Sequence, residues 1–238
     1  MTTVSHNDHP PRRTRVAGLL RWAVLASLVG SSVASGQQPP VHWLHAGAMP
    51  PGAIGSLRLR RGGPLSGYSQ PVRIRAPIGA RISLAEGVGY GPPRADEVLV
   101  GMQIGHPYRL KVSNLPIDPE QEVFPTVEVI DRLYPPPGLA LRYPIPIELT
   151  AEELDMAARG LFVTRVIYLE DPILALPVAY DSAEDQPWIE APHGADPLVV
   201  ADGLGRPVAI LRIGGRVPTP RNPATSDAES PIVDYGTN

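Results

Sequence analysis

The sequence predicts a mainly β fold: an antiparallel β-sandwich with one short capped helix at about 151–159. Three observations carry this. Apolar and polar residues alternate in short runs, the period-2 mark of strands with one buried face. Thirty prolines and 23 glycines among 238 residues cut the chain into such runs, with turn signals at intervals of roughly 8–12 residues, the spacing of sandwiches and barrels. No cysteine is present, so no disulfide framework can substitute for a core, and the fold must rest on buried apolar residues.

Taken in order, residues 1–36 read as a secretory signal peptide. Arg12, Arg13, Arg15 and Arg21 form a basic region, WAVLASLVG (22–30) a short apolar run, and SSVASG a small-residue cleavage site after Ala34 or Gly36. The run is shorter than the ~18 residues a membrane span needs, which predicts no stable transmembrane anchor after cleavage. Residues 37–70 read as a loop-rich N-terminal arm with at most one short strand near Leu57–Arg61. The sandwich domain is predicted over 71–217. PVRIRAP (71–77) sets Val72 and Ile74 against Arg73 and Arg75. ARISLAEG (80–87), EVLVGMQI (97–104) and PYRLKVSN (107–114) repeat the alternation. VFPTVEVID (123–131) and LRYPIPIEL (141–149) continue it, their prolines predicting edge positions or bulges.

The helix has a complete start and stop. Thr150 and Glu153 form the T-x-x-E capping box, Leu149 and Leu154 a hydrophobic staple, and Arg159-Gly160 the termination. LFVTRVIYL (161–169), apolar on both faces, is predicted to be the central strand. PLVVADGLGRPVAILRIG (197–214) reads as a closing hairpin turned at Asp202–Gly205. Residues 218–238 lack periodicity and read as a disordered C-terminal tail.

The strand–helix–strand unit IPIELTAEELDMAARGLFVTRVIYLEDP (145–172) resembles the E-to-F connection of immunoglobulin-like sandwiches. GHPYRLKVSN (105–114) is similar to an Ig-like or prealbumin-like strand. The tryptophan and cysteine pair of true immunoglobulin domains is absent, so this likeness concerns architecture. Through VFPTVEVIDRLYPPPGLAL (123–141) and the 145–172 stretch, the chain also resembles exported planctomycete-type bacterial proteins of unknown function. That resemblance spans much of about 41–217 and implies no activity.

Charge is unevenly placed. The net charge is −3. Between Val41 and Arg81 stand Arg58, Arg60, Arg61, Arg73, Arg75 and Arg81 with no acid, while acids dominate from Ile82 onward. The overall acidity argues against nucleic acid as a partner. These six arginines are the candidate patch for an anionic envelope polymer, a lipid headgroup or an acidic protein segment; the alternative is that they pair internally or solvate outward strand faces. Tyr134 with Pro135–Pro137, and Tyr143-Pro144, could present aromatic faces to sugars or polyproline-like partners, or serve as stiff edges.

Catalytic motifs are missing. No G-x-S-x-G, Walker or H-E-x-x-H sequence occurs, and GVGYGPP (87–93) runs into prolines where a phosphate-binding helix would begin. The carboxylates Glu152, Glu153 and Asp155 are explained by helix capping. His42 and His45, three apart, are a weak metal pair, and Asp181, Glu184 and Asp185 a loop that could hold calcium but lacks EF-hand spacing. No catalytic, cofactor-binding or metal residue is therefore assigned, and no cofactor is implied. The expectation is an exported, non-catalytic structural or binding module of the periplasm or cell surface. The alternatives are a hydrolase of envelope polysaccharide or peptide, with carboxylates assembled only by the fold, and a metal-binding accessory protein.

Overall fold

The computed structural model describes residues 49–64, 66–87, 89–171, 173, 189–214 and 232–236. All fall in one unit, Val41–Asn238. The predicted signal peptide, His42, His45, the 181–185 loop and most of the C-terminal tail lie outside the described residues.

Two sheets form the fold. In the first, β1 (Ser69–Arg75) pairs antiparallel with β4 (Glu97–Gln103) over its whole length, from Ser69↔Gln103 to Arg75↔Glu97. On its other side β1 pairs in parallel with β7 (Ile145–Glu148), from Val72↔Ile145 to Arg75↔Glu148. The second sheet is antiparallel throughout and runs β3 (Gly89–Tyr90), β2 (Arg81–Glu86), β5 (Pro107–Ser113), β6 (Thr126–Val129), β9 (Gly205–Ile213), β8 (Val163–Glu170). The predicted alternation decides what lies between them. Val72, Ile74, Val100, Met102, Ile145 and Ile147 of the first sheet meet Ile82, Leu110, Val112, Val127, Leu211 and Ile213 of the second in one buried cluster. Tyr108 enters the same core because its hydroxyl accepts from the Gln103 N–H at 2.7 Å, satisfying the one polar atom it buries. The protein is thus mainly β and sandwich-like, with few short helices.

Four local expectations are corrected. Leu57–Arg61 is not a strand: Ala53–Arg60 is a helix, α1. The L-R-L-R alternation mimics period 2, but docking of Ile54 and Gly55 on the outer face of the second sheet decides the conformation. The Gly55 N–H donates to Glu128 Oε1 at 2.8 Å. A Cβ at Gly55 would stand 2.7 Å from the Gly105 Cα, so only glycine permits this approach. Glu128 is fully buried on β6 and also accepts from the 5 %-exposed Arg212 of β9 at 3.0 Å, so α1 seals a buried ion pair.

Second, 197–204 is not half of a hairpin but helix α3 (Pro197–Leu204). Asp196 caps it by accepting from the Leu198 N–H at 2.9 Å, and Pro197 supplies a preset first turn. Leu198 joins Ile54, Ile130 and Ile210 in a second apolar cluster on the outer face. Helices on that face and core on the other bury β9 from Pro207 to Ile213.

Third, LFVTRVIYL is not central. It forms β8 at the edge of its sheet, with Val163–Tyr168 only half-buried; the centre of the sheet is β5 and β6. A register shift at Ile167/Tyr168, opposite Pro207, bends this edge. The proline rule holds for β7, an edge strand, but β6 is internal and simply starts after Pro125.

Fourth, part of the expected tail is ordered: β10 (Val233–Asp234) pairs with β4, and Tyr235 packs over Gly101, where a Cβ would come within 2.9 Å of its hydroxyl.

The remaining helix, α2 (Ala151–Ala158), is built as its sequence specifies. Thr150 Oγ1 accepts from the Glu153 N–H at 3.2 Å, and Glu153 Oε2 accepts from the Thr150 N–H at 3.1 Å. Leu149 and Leu154 are buried beside it.

Candidate functional site

The six arginines of the expected patch fall on three elements. The register of the first sheet sets Arg75 of β1 between Glu97 and Glu148, and it pairs with both, at 2.7 and 3.2 Å. The hydrogen bond to Glu97 and the charge of Glu148 hold its guanidinium above the ordinary value. Arg73 also reaches Glu97, at 3.5 Å. Arg81 stands exposed at the start of β2 in the other sheet. Arg60 and Arg61 are exposed at the end of α1, while Arg58 turns toward Asp131, 3.9 Å away. Arg73 and Arg75 are thus engaged with acids on neighbouring strands.

What the fold does build is a cavity. The first sheet ends on β7 and the second on β8, so the sandwich is open along the edge where those strands face each other. Between them, and extending past β8 to α3, lies a cavity of about 490 Å³. This is within the ~300–1,000 Å³ range of small-molecule sites. Its walls are mostly apolar: Ile145 of β7, Val163, Ile167 and Leu169 of β8, Val200 and Leu204 of α3, with Leu133 and Val208. The half-buried state of β8 fits this position: Val163 and Ile167 pack against the main core and also line the cavity.

Polar groups enter this cavity from α2, β7 and β8. Glu153 of α2, only 2 % exposed, pairs through Oε1 with Arg165 of β8 at 3.2 Å, while its Oε2 remains in the capping box. Arg165 also donates to the Glu148 carbonyl, and its buried Nε has no acceptor among the described residues. Burial pulls the Arg165 guanidinium below its ordinary value, with Glu153 and then Glu148 opposing. Burial pushes the Glu148 carboxyl up; Arg75 opposes this, Glu97 adds to it, and Arg165 and Arg73 oppose it more weakly.

These groups can orient a polar substituent, but they are poorly disposed for turnover. Glu153 has both oxygens engaged and almost no access, which denies it the role of nucleophile or base. Glu148 Oε1 is tied to Arg75. Among the described residues no group of three His, Asp or Glu side chains is placed to hold a metal ion. Nor, among them, is any helix long and apolar enough to cross a membrane.

Sequence reasoning found Glu153 as a cap but missed its ion pair, and missed Arg165 and Glu148 altogether. The one available signal was the arginine within an otherwise apolar strand, which a half-buried position would have to pair. Compared with protein-family models, with curated proteins and with solved structures, the chain matches none.

Proposed function

We propose that this protein is a non-catalytic binding module of the cell envelope and that its ligand occupies the cavity between β7, β8 and α3. The observation that carries the reading is an apolar-walled cavity of about 490 Å³ in which Glu153 is paired with Arg165 and Glu148 with Arg75. Such a site gains affinity from apolar burial and uses its few polar groups for orientation. Export to the periplasm or cell surface rests on the three-part N-terminal pattern of residues 1–36. Kinship with planctomycete-type exported proteins and an Ig-like or prealbumin-like architecture belong to the same reading, supported by the strand and helix motifs.

The test is a neutral apolar fluorophore such as N-phenyl-1-naphthylamine. Wild-type protein should bind it. Val200→Trp, which projects bulk from α3 into the cavity, should weaken binding at least ~10-fold with an unchanged far-UV CD spectrum; one factor of ten corresponds to about 1.4 kcal/mol. Absence of binding by the wild type would end the proposal.

A second reading, hydrolysis of an envelope polysaccharide or peptide, has one observation in its favour: a half-buried carboxyl, Glu148, raised above its ordinary range in a cavity that also contains Glu153. Polymer turnover that disappears in Glu148→Gln would put hydrolysis in place of binding.

A further inference from the structure

Two wall residues of the cavity, Leu133 and Leu169, have arginines as immediate neighbours. Leu133 lines the cavity, and its chain neighbours Arg132 and Tyr134 are ~3.8 Å away along the backbone. Leu169, another wall residue, pairs in register with Arg206. These neighbours form a ladder. The Arg132 guanidinium lies 5.2 Å from the Tyr68 ring centre and 4.3 Å from that of Tyr134. Arg206 approaches the Tyr134 ring at 5.5 Å. It also donates to Asp131 Oδ2 at 2.8 Å and to the Arg132 carbonyl at 3.1 Å. Arg58 shares the same carboxylate, so two guanidiniums face one acid.

Arg132 is the exceptional member. Among the described residues no carboxylate pairs with it, and its buried Nε has no acceptor. Among the described residues, the rings of Tyr68 and Tyr134 lie against its guanidinium. Face-on stacking leaves the in-plane N–H fork available for bidentate binding of an oxyanion. The cavity lining has the opposite balance, with Glu170 and Glu190 beside the paired Glu148 and Glu153 and Arg165 as its one cation, and disfavours an anion. Apolar walls, an interior that disfavours anions and a cationic rim beside Leu133 and Leu169 together define an orientation.

We propose that Arg132, Tyr134 and Arg206 hold the oxyanion head of an alkyl amphiphile whose apolar chain lies in the cavity. The proposal rests on the cavity being a ligand site, and it names the ligand's class. Carboxylate and phosphate heads share the required chemistry, and both are probed.

The experiment titrates the purified protein with dodecanoate, dodecyl phosphate, dodecanol and inorganic phosphate. At low salt at least one of the two anions should bind roughly 10- to 100-fold more tightly than dodecanol, the range expected for charge-assisted hydrogen bonds, and salt should reduce the preference. Arg132→Gln should abolish the preference while dodecanol affinity stays unchanged. Arg132→Lys, which keeps the charge but not the planar fork, should retain only part of it. Inorganic phosphate should not displace dodecyl phosphate at comparable concentration. Equal affinity for acid and alcohol, or a preference that survives in Arg132→Gln, overturns the anionic head and leaves the cavity reading standing. Displacement by inorganic phosphate at comparable concentration overturns the amphiphile. If dodecanol and both alkyl anions fail to bind, the cavity reading falls as well.

Discussion

Glu153 and Arg165 offer a perturbation whose size separates a structural carboxylate from a chemical one. Glu153→Gln preserves the helix start, because glutamine also closes a capping box, but it strands Arg165. Removing one partner of a fully enclosed pair costs about 3–5 kcal/mol. Here the Arg165 side chain keeps 24 % exposure and retains its bond to the Glu148 carbonyl, which reduces the expected loss to about 2–3 kcal/mol. Arg165→Met reverses the situation, leaving a carboxylate that is 2 % exposed and held only by Thr150; a similar loss follows. The double variant strands neither charge, so its loss should fall about 1–3 kcal/mol short of the sum of the two singles. Thr150→Ala, which breaks the cap alone, should cost about 1 kcal/mol. Urea unfolding monitored by CD and by fluorescence gives the four stabilities, and coincident curves establish two-state behaviour. Additivity of the two single variants within about 0.5 kcal/mol would refute the pairing argument.

Three further outcomes follow from the packing and the titrating groups. Gly55→Ala in α1 sets helix propensity against contact: propensity alone predicts a gain of about 1 kcal/mol, whereas a Cβ 2.7 Å from the Gly105 Cα predicts a loss of about 1–3 kcal/mol. A thermal melt distinguishes these by the sign of the Tm shift. Asp234 is held below the ordinary carboxylate range by the Gly236 N–H, with burial opposing and Arg94 assisting. A depressed folded value means that the stability it contributes is present above the ordinary aspartate range and lost as pH falls through the folded value. The protection factor of the Tyr235 amide, which donates to the Leu99 carbonyl at 3.1 Å, should therefore fall on acidification, and Asp234→Asn should remove that dependence. Glu148, raised mainly by burial, has the opposite sign. Its contribution is present below the ordinary glutamate range and lost as pH rises through its raised value, so Glu148→Gln should flatten that part of the pH–stability curve.

The legible parts of the fold were those whose signals are local. Val72 and Ile74, Ile82 and Leu84, and Tyr108, Leu110 and Val112 announce their buried faces by alternation, and Thr150, Glu153 and Gly160 bound α2 by capping chemistry alone. Misreadings arose where tertiary contact overrides a local pattern. Leu57–Arg60 alternates like a strand, yet Gly55 and Ile54 dock it as a helix. Asp196-Pro197 carried a helix start that the Asp-Gly turn at 202–203 outweighed. β8 has the composition of a central strand because both its faces meet apolar surroundings, one a cavity and one α3. The site was hidden for a related reason. Glu148, Glu153 and Arg165 come from three successive elements, and Arg132, Arg206 and Tyr68 converge from distant ones. Tyr134 beside its prolines was the one ladder member that drew notice, as an aromatic face and not as an arginine platform.

The most direct test of the central claim is a crystal structure of the protein grown with dodecanoate. The expected density is an alkyl chain between β7 and β8, against Val163, Ile167 and Val200, with the carboxylate on the Arg132 fork beside Tyr134. An empty cavity at saturating ligand, or a chain bound elsewhere with Arg132 untouched, would contradict it.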